Sequence, residues 1–411
     1  MTIWILAILL LAGVAAVGYN QGAVRAAMSF IGLIISALLA MPLSPLIAPA
    51  VRPLLSAFSI KNPVIIWAVC PAVVFIVLLT IFKVAGFAIH KQVEVFYKYK
   101  AGDLRLSLWE RMNKRLGACM GAANALVYIV IIAVVINVIG YWTTQMQQGE
   151  GDSRSIRLFS RLAKDLQSTG LNKVAYALDP MKEDYYLTAD IAGIVLHNPL
   201  ATSRLSRYPA LVMLSERQEF RDMSSDTAFN EMLLRQPPVN ELLANEKIQA
   251  VTGNPELMNE IWGMLKPDLK DLHEFMLTGQ TAKYGSEPLL GRWNYDGAGT
   301  YAELKKTRPN LSIPALKAQR MLLTYAYGKS SFIATPPPSK QAVLKDVIWV
   351  APPFKGLDPN AAPASRAGEW QGDSSGYTLN LTDTKEMTAT IEGNKLKISG
   401  EWTPLIFVKE E

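Results

Sequence analysis

Four long apolar stretches in the first third of the chain limit what it can fold into. They span Ile3–Tyr19, Val24–Met41, Val64–Ile89 and Gly117–Trp142, and none of them contains Asp or Glu. A helix needs about 20 apolar residues to cross about 30 Å of hydrocarbon, whereas apolar stretches in soluble cores are usually shorter. The sequence therefore predicts four transmembrane helices rather than the core of a soluble domain.

The first stretch has a second interpretation, as a secretory signal peptide that is removed. Ala16, Val17 and Gly18 are small enough to form a cleavage site. A signal peptide also needs positive charge before its apolar segment, and no Lys or Arg precedes Ile3. We therefore expect this stretch to remain as the first membrane helix.

Charge is unevenly distributed along the chain. Residues 1–144 contain 11 basic and 3 acidic residues, while the remainder contains 30 basic and 32 acidic residues. The sequence pI near 9.1 therefore reflects the apolar first third. This distribution argues against a nucleic-acid partner. The partner expected from the four apolar stretches is the lipid bilayer.

The positions of Lys and Arg predict the orientation, because basic residues flanking membrane helices stay in the cytoplasm. The predicted loop 90–116 contains seven: Lys91, Lys98, Lys100, Arg105, Arg111, Lys114 and Arg115. The Pro-rich loop 42–63 contains two, Arg52 and Lys61. The sequence therefore predicts a cytoplasmic loop 90–116, a cytoplasmic Arg25, and an extracytoplasmic region from Gln145 onward.

Small and polar residues in the fourth stretch indicate helix packing. Gly117, Gly121 and Ala125 recur every four residues, which permits close approach of a neighbouring helix within the chain or in a homo-oligomer. The simpler alternative is the general abundance of glycine in membrane helices. Asn124 and Asn137 lie in the same stretch and are expected to bond to neighbouring helices rather than to conduct ions.

Two segments of this region resemble the colicin V production (CvpA) family of bacterial inner-membrane proteins. They read "GYNQGAVRAAMSFIGLIISALLA" and "WERMNKRLGACMGAANALVYIVIIAVV", and the similarity covers about residues 1–144. The residues that match the family pattern are Gly18, Gly22, Arg25, Trp109, Glu110, Arg115, Leu116, Gly117 and Gly121.

The resemblance implies a four-span membrane protein associated with production or export of a peptide toxin and with envelope maintenance. It implies no known reaction. The chain departs from the pattern at Asn20 and Gln21, where basic residues are common, and at Asn124, where relatives often carry arginine.

The region after the fourth stretch has the composition of a water-soluble protein. We expect an extracytoplasmic helical segment at 152–285, in which Leu158, Leu162 and Leu166 form one apolar face and Asn254 caps a helix that begins at Pro255. The C-terminal module, 289–411, is expected to contain a helix and a small antiparallel β-meander or barrel. Its predicted strands lie in 344–351, 368–372, 376–382, 385–399 and 403–409, with a hairpin turn at Gly393 and Asn394.

Motifs for chemistry are absent from the sequence. His90, His197 and His273 are far apart, and no HExxH motif, paired CxxC motif or GxSxG motif occurs. Asp268, Asp271 and Glu274 recur every three residues and are interpreted as a solvated helix face. We therefore expect no catalytic residue, cofactor or metal site.

The sequence thus favours a non-enzymatic scaffold or export accessory that binds an envelope protein. Two alternatives remain open. One is a channel or transporter in which Arg25, Asn124 and Asn137 line a polar path after oligomerisation, and the other is an enzyme in the outer region.

Overall fold

The computed structural model describes residues 2–57, 63–100, 103–349, 361–400 and 403–410. The chain forms two compact units. The first contains residues 1–147 and 153–182, and the second contains residues 148–152 and 183–411. Residues 153–182 thus belong with the apolar helices, whereas the sequence placed them in the outer helical segment.

Within the described residues, the first unit contains four helices long and apolar enough to cross a membrane: α1 (Thr2–Gln21), α2 (Ala23–Ala57), α3 (Pro63–Lys100) and α4 (Asp103–Met146). Their apolar windows have mean hydropathies of 2.2 to 2.6. Only 11 to 28% of the residues in each window are buried by the protein, which leaves apolar side chains to face lipid. The four predicted apolar helices are confirmed.

Helix α2 is longer than predicted, because it continues through most of the predicted Pro-rich loop to Ala57. Lys61 lies outside the described residues. Four prolines stand inside this helix, and each deprives one carbonyl of its helical N–H partner. The Ser44 hydroxyl donates to the Met41 carbonyl at 2.8 Å, and that carbonyl is the one Pro45 leaves without an N–H. Such side-chain donors allow a helix to tolerate proline in a membrane.

Helices α3 and α4 also extend through the predicted basic loop 90–116, apart from residues 101–102, which lie outside the described residues. No Gly or Pro interrupts His90–Lys100. Tyr97 stacks on Trp109 with ring centroids 4.5 Å apart, which packs the two extensions together. The seven predicted basic residues therefore lie on helical extensions rather than on a loop.

Two shorter helices complete the first unit, α5 (Arg154–Thr169) and α6 (Leu171–Ala177). The buried side of α5 contains Ser160, Ala163 and Leu166. Asp165 on α5 accepts a hydrogen bond of 3.0 Å from the Ile3 backbone N–H, which would otherwise lack a partner in the first turn of α1.

The second unit begins with a series of short helices: α7 (Glu183–His197), α8 (Pro199–Leu205), α9 (Val212–Ser215), α10 (Gln218–Ser225), α11 (Thr227–Leu234), α12 (Val239–Ala244), α13 (Glu246–Thr252), α14 (Pro255–Leu265) and α15 (Leu269–Thr278). Tyr208, Leu257, Leu272 and Met276 lie in their shared core. Asn254 caps α14 as predicted, since its side chain accepts hydrogen bonds from the first-turn N–H groups of Glu256 and Leu257.

The rest of the second unit is a closed antiparallel barrel. Among the described residues its strands are β1 (Gly291–Tyr295), β2 (Ser331–Ala334), β3 (Gln341–Val347), β4 (Ala364–Asp373), β5 (Gly376–Leu381), β6 (Met387–Glu392), β7 (Lys395–Ser399) and β8 (Leu405–Lys409). Each strand pairs with the next, and β8 closes on β1. Helices α16 (Gly297–Thr307) and α17 (Ile313–Tyr327) connect β1 to β2.

The barrel interior is filled by large side chains, including Trp293, Phe332, Trp370 and Phe407, which are almost fully buried. The predicted antiparallel β-structure is confirmed, and Gly393 forms the β6–β7 turn with φ of 61°. Strand β2 was not predicted, because its four residues are too short to show alternation.

Candidate functional site

The first candidate site is the seam between α1 and α4, where the two backbones touch through glycine. A Cβ atom added at Gly18 would lie 2.8 Å from the Gly121 Cα atom, and one added at Gly117 would lie 2.9 Å from the Gly22 Cα atom. Real Cβ atoms do not approach backbone atoms this closely. Ala125, one turn further along α4, is fully buried. The predicted small-residue face of α4 therefore lies in a helix contact.

The break between α1 and α2 is fixed by a contact between residues far apart in the chain, which the sequence pattern did not indicate. Gly22 adopts φ of 80°, a conformation that favours glycine. Asn113 on α4 accepts a hydrogen bond of 2.7 Å from the Ala23 N–H, the first N–H of α2. The only signal in the sequence was the glycine between two helical stretches.

Of the two predicted amides, Asn124 bonds to a neighbouring membrane helix. Its Nδ2 atom donates to the Ala26 carbonyl of α2 at 3.0 Å. Asn137 instead donates to the Asp179 carboxylate, which follows α6, at 3.3 Å. Thirteen residues of helix separate the two amides by about 20 Å along the axis and place them on different sides of α4. They do not lie together on one path.

A small cleft of about 160 Å³ lies beside Asn124 and between the membrane helices. Its polar lining comes from Gln21, Ser29, Lys83 and Tyr128 together with Asn124. The Asn124 Oδ1 atom is buried and has no hydrogen-bond partner among the described residues. The volume is below the roughly 300 Å³ of a typical organic-ligand pocket, so the cleft suits water or a small ion.

The predicted topology anchors gather at one end of the α3–α4 pair, except for Arg25 on α2. Six of them are exposed: Lys91, Lys98, Arg105, Arg111, Lys114 and Arg115. The Lys100 side chain lies outside the described residues. Arg25 is half-buried, and its guanidinium carbon lies 4.6 Å from the centre of the Phe87 ring.

The solvated helix face predicted for Asp268, Asp271 and Glu274 is wrong for the first two. Asp268 is 3% exposed and binds the Lys283 ammonium and the Tyr284 hydroxyl. Asp271 accepts hydrogen bonds from the Tyr208 hydroxyl at 2.8 Å, the Thr281 hydroxyl at 2.6 Å and the Lys283 N–H at 2.9 Å. Glu274 is exposed as expected. Sequence spacing could not reveal the partners, which lie outside α15.

These contacts also change the pKa values of the groups involved. Burial acts to raise the pKa of Asp271, but the hydrogen bonds from Thr281, Lys283 and Tyr208 outweigh it and hold the pKa below its usual value. Burial, and then the bond to Asp271, raises the pKa of Tyr208. The carboxylate stays ionised and the phenol stays neutral, an arrangement that fastens the segment after α15 to the helical core.

The second candidate site is a pocket of about 340 Å³ at one mouth of the barrel. Met387, Ile398 and Leu405 supply apolar surface, and the charged residues of the lining are Arg366, Asp383 and Lys385. The Arg366 guanidinium carbon lies 3.8 Å from the centre of the Trp349 ring, and Arg366 donates to the Asp383 carbonyl at 2.6 Å. The pocket can take an apolar group with a polar end, because its lining combines apolar surface with charges of both signs.

Metal-ligand clusters are not found in the part of the chain that the structure describes. No group of three or more His, Cys, Asp or Glu side chains there is placed to hold a metal ion. His197 and His273 belong to different helices, α7 and α15.

Comparison with known proteins gives one match. Residues 3–164 match the family model described as colicin V production protein. The match covers α1 to α4 and reaches into α5. Neither a curated protein nor a solved structure matches the chain significantly. The resemblance inferred from the glycine and basic-residue motifs is therefore confirmed for the N-terminal region.

Proposed function

We propose that this chain, whose residues 3–164 form a domain of the colicin V production family in a multi-pass membrane protein, is a non-enzymatic scaffold of the bacterial inner membrane. The membrane helices hold the protein in the bilayer, and the second unit lies outside the cytoplasm, where it binds an envelope protein. The role implied by the family name is the production or export of a peptide toxin.

The observation that carries this proposal is the use of the small and polar residues of α4 in helix contacts. Gly117 and Gly121 lie against α1, and Asn124 bonds to α2. Asn137 bonds to Asp179 on another side of the helix. Residues engaged in packing support a structural role for the membrane unit better than a transport path.

The barrel mouth is where the partner binds in this proposal. Its pocket lies within the usual volume range of binding pockets, and it combines an apolar surface with charged side chains of both signs. A partner segment that pairs an apolar side chain with a polar one fits this chemistry.

A photo-crosslinking amino acid placed at Thr384, on the pocket lining, tests the proposal in intact cells. We expect a discrete crosslinked product with an envelope protein. The matched control is the same amino acid at Lys395, which is exposed at the start of β7 and does not line the pocket. Equal products at both positions, or products with cytoplasmic proteins, would contradict the proposal.

A channel is the second candidate function, favoured by the polar cleft that contains Lys83 in the middle of the apolar window of α3. Ion flux in reconstituted vesicles that disappears in Asn124→Leu would support the channel and count against the scaffold.

A further inference from the structure

The chain from Leu304 to Lys345 contains no acidic residue and eight basic residues. This stretch covers the end of α16, all of α17, the strand β2 and most of β3. Outside this stretch, the chain from Gln145 onward has 22 basic and 32 acidic residues, so the positive charge of this region is concentrated here.

Two of these eight cations have carboxylate partners, and a third lies over a tryptophan ring in another part of the fold. Lys306 lies 3.8 Å from Glu303, and Lys345 pairs with Glu216. The Lys340 ammonium lies 5.1 Å from the centre of the Trp370 ring. The charges of Lys306 and Lys345 are therefore paired with carboxylates, and Lys340 lies between β2 and β3.

The other five cations have no carboxylate within 4.0 Å among the described residues, and all five are exposed. They are Lys305, Arg308, Lys317, Arg320 and Lys329. Lys305 and Arg320 both lie over the Tyr301 ring, at 4.7 and 5.2 Å from its centre, which joins the charge of α16 to that of α17.

Two large apolar side chains are exposed on the same helix. Ile313 is 72% exposed and Met321 is 66% exposed. At about 100° per residue, Ile313, Lys317, Arg320 and Met321 fall within about 100° of one another around the helix axis. We call these four residues the α17 face. It mixes cations with protruding apolar groups, and α17 itself carries no negative charge.

We propose that the α17 face binds the anionic phospholipid head groups of the bilayer that contains α1 to α4. Cations near an anionic membrane surface each strengthen binding about fivefold, and exposed apolar side chains on such a face enter the boundary between head groups and acyl chains. A rigid anionic polymer would satisfy the cations but would leave Ile313 and Met321 in water. This inference does not depend on the partner proposed for the barrel mouth.

The test uses the full chain in nanodiscs, with Cys70 and Cys119 replaced by alanine and the environment-sensitive dye NBD attached at Met321→Cys. We expect NBD emission to rise about twofold or more, with a blue shift, in phosphatidylglycerol nanodiscs relative to phosphatidylcholine nanodiscs. High salt should weaken the effect, because screening reduces the attraction. The same dye at Leu277→Cys, an exposed position on α15, should give equal emission in both lipids.

Charge variants separate lipid binding from a general effect of net charge. Lys317→Gln combined with Arg320→Gln should abolish the rise in NBD emission from the dye at position 321. Lys270→Gln combined with Lys395→Gln removes the same charge from other exposed sites and should preserve it. Equal emission in the two lipids, or an equal rise on adding polyphosphate to phosphatidylcholine nanodiscs, would overturn the proposal, and the second result would identify an anionic polymer as the ligand.

Discussion

The Asn124 Nδ2 atom donates a hydrogen bond of 3.0 Å to the Ala26 carbonyl oxygen, and this bond joins α4 to α2. Ala26 and Asn124 are both nearly inaccessible to the surroundings. A buried amide between membrane helices is costly without a hydrogen-bond partner, so it favours the helix arrangement that provides one. Asparagine at this position gives the chain an uncharged contact between helices.

The variant Asn124→Leu should lower the free energy of unfolding by about 0.6 to 1.7 kcal/mol, because it removes one hydrogen bond between membrane helices. Thermal unfolding in detergent measures the loss. The matched control is Thr80→Val, since the Thr80 hydroxyl is exposed and donates to Ile76 within its own helix. Equal losses in both variants would contradict a specific role for the Asn124 bond.

The variant Gly18→Ala should destabilise the first unit by about 1 to 3 kcal/mol, because the new methyl group must push α1 away from α4. Gly13→Ala is the control in the same helix, since a Cβ atom there meets nothing within 4 Å. We expect that control to be neutral or slightly stabilising, as alanine is the better helix former. The unfolding temperatures of the two variants decide the question, and similar values would argue against a tight glycine seam.

The membrane helices could be predicted because the length and apolarity of a span are local properties of the sequence. The residues at which these helices end could not be predicted in the same way. Four prolines usually indicate a loop, yet α2 continues through them, helped by the Ser44 bond to Met41. The basic residues indicated a loop from His90 onward, but charge alone does not end a helix.

Long-range partners account for what the sequence did not reveal at the candidate sites. The spacing of Asp268 and Asp271 indicated an exposed face, whereas Tyr208 and Lys283 bind them from other parts of the chain. Asn113 and the Ala23 N–H are 90 residues apart. The barrel-mouth pocket likewise combines side chains from several strands, and none of them forms a motif along the sequence.

The variant Tyr208→Phe should destabilise the second unit by about 1.5 to 3 kcal/mol at neutral pH, because it removes a hydrogen bond to an ionised carboxylate. The folded pKa of Asp271 lies below its unfolded value near 3.9, so this stability is present above about pH 4 and is lost as the pH falls through the folded pKa. The difference in the free energy of unfolding between wild type and Tyr208→Phe should therefore become smaller in acid.

Urea unfolding at pH 7 and pH 3, followed by tyrosine and tryptophan fluorescence, measures this difference in the free energy of unfolding. Thr252→Val serves as the control, since its hydroxyl donates to Ile248 within α13. Its effect should be small and the same at both pH values. If Tyr208→Phe lowers the free energy of unfolding by the same amount at pH 7 and pH 3, the hydrogen bond from Tyr208 to ionised Asp271 is not the cause of the loss.

Orientation in the membrane gives the last prediction. Exposed Lys and Arg cluster on the facing ends of α3 and α4, and basic flanks stay in the cytoplasm. A reporter enzyme active only outside the cytoplasm should therefore be active after Glu411 and silent when inserted near Gly102; both positions lie outside the described residues. Protease added to spheroplasts should also digest the second unit. An active reporter near Gly102 would reverse the orientation and place the barrel in the cytoplasm, where no envelope partner can reach it.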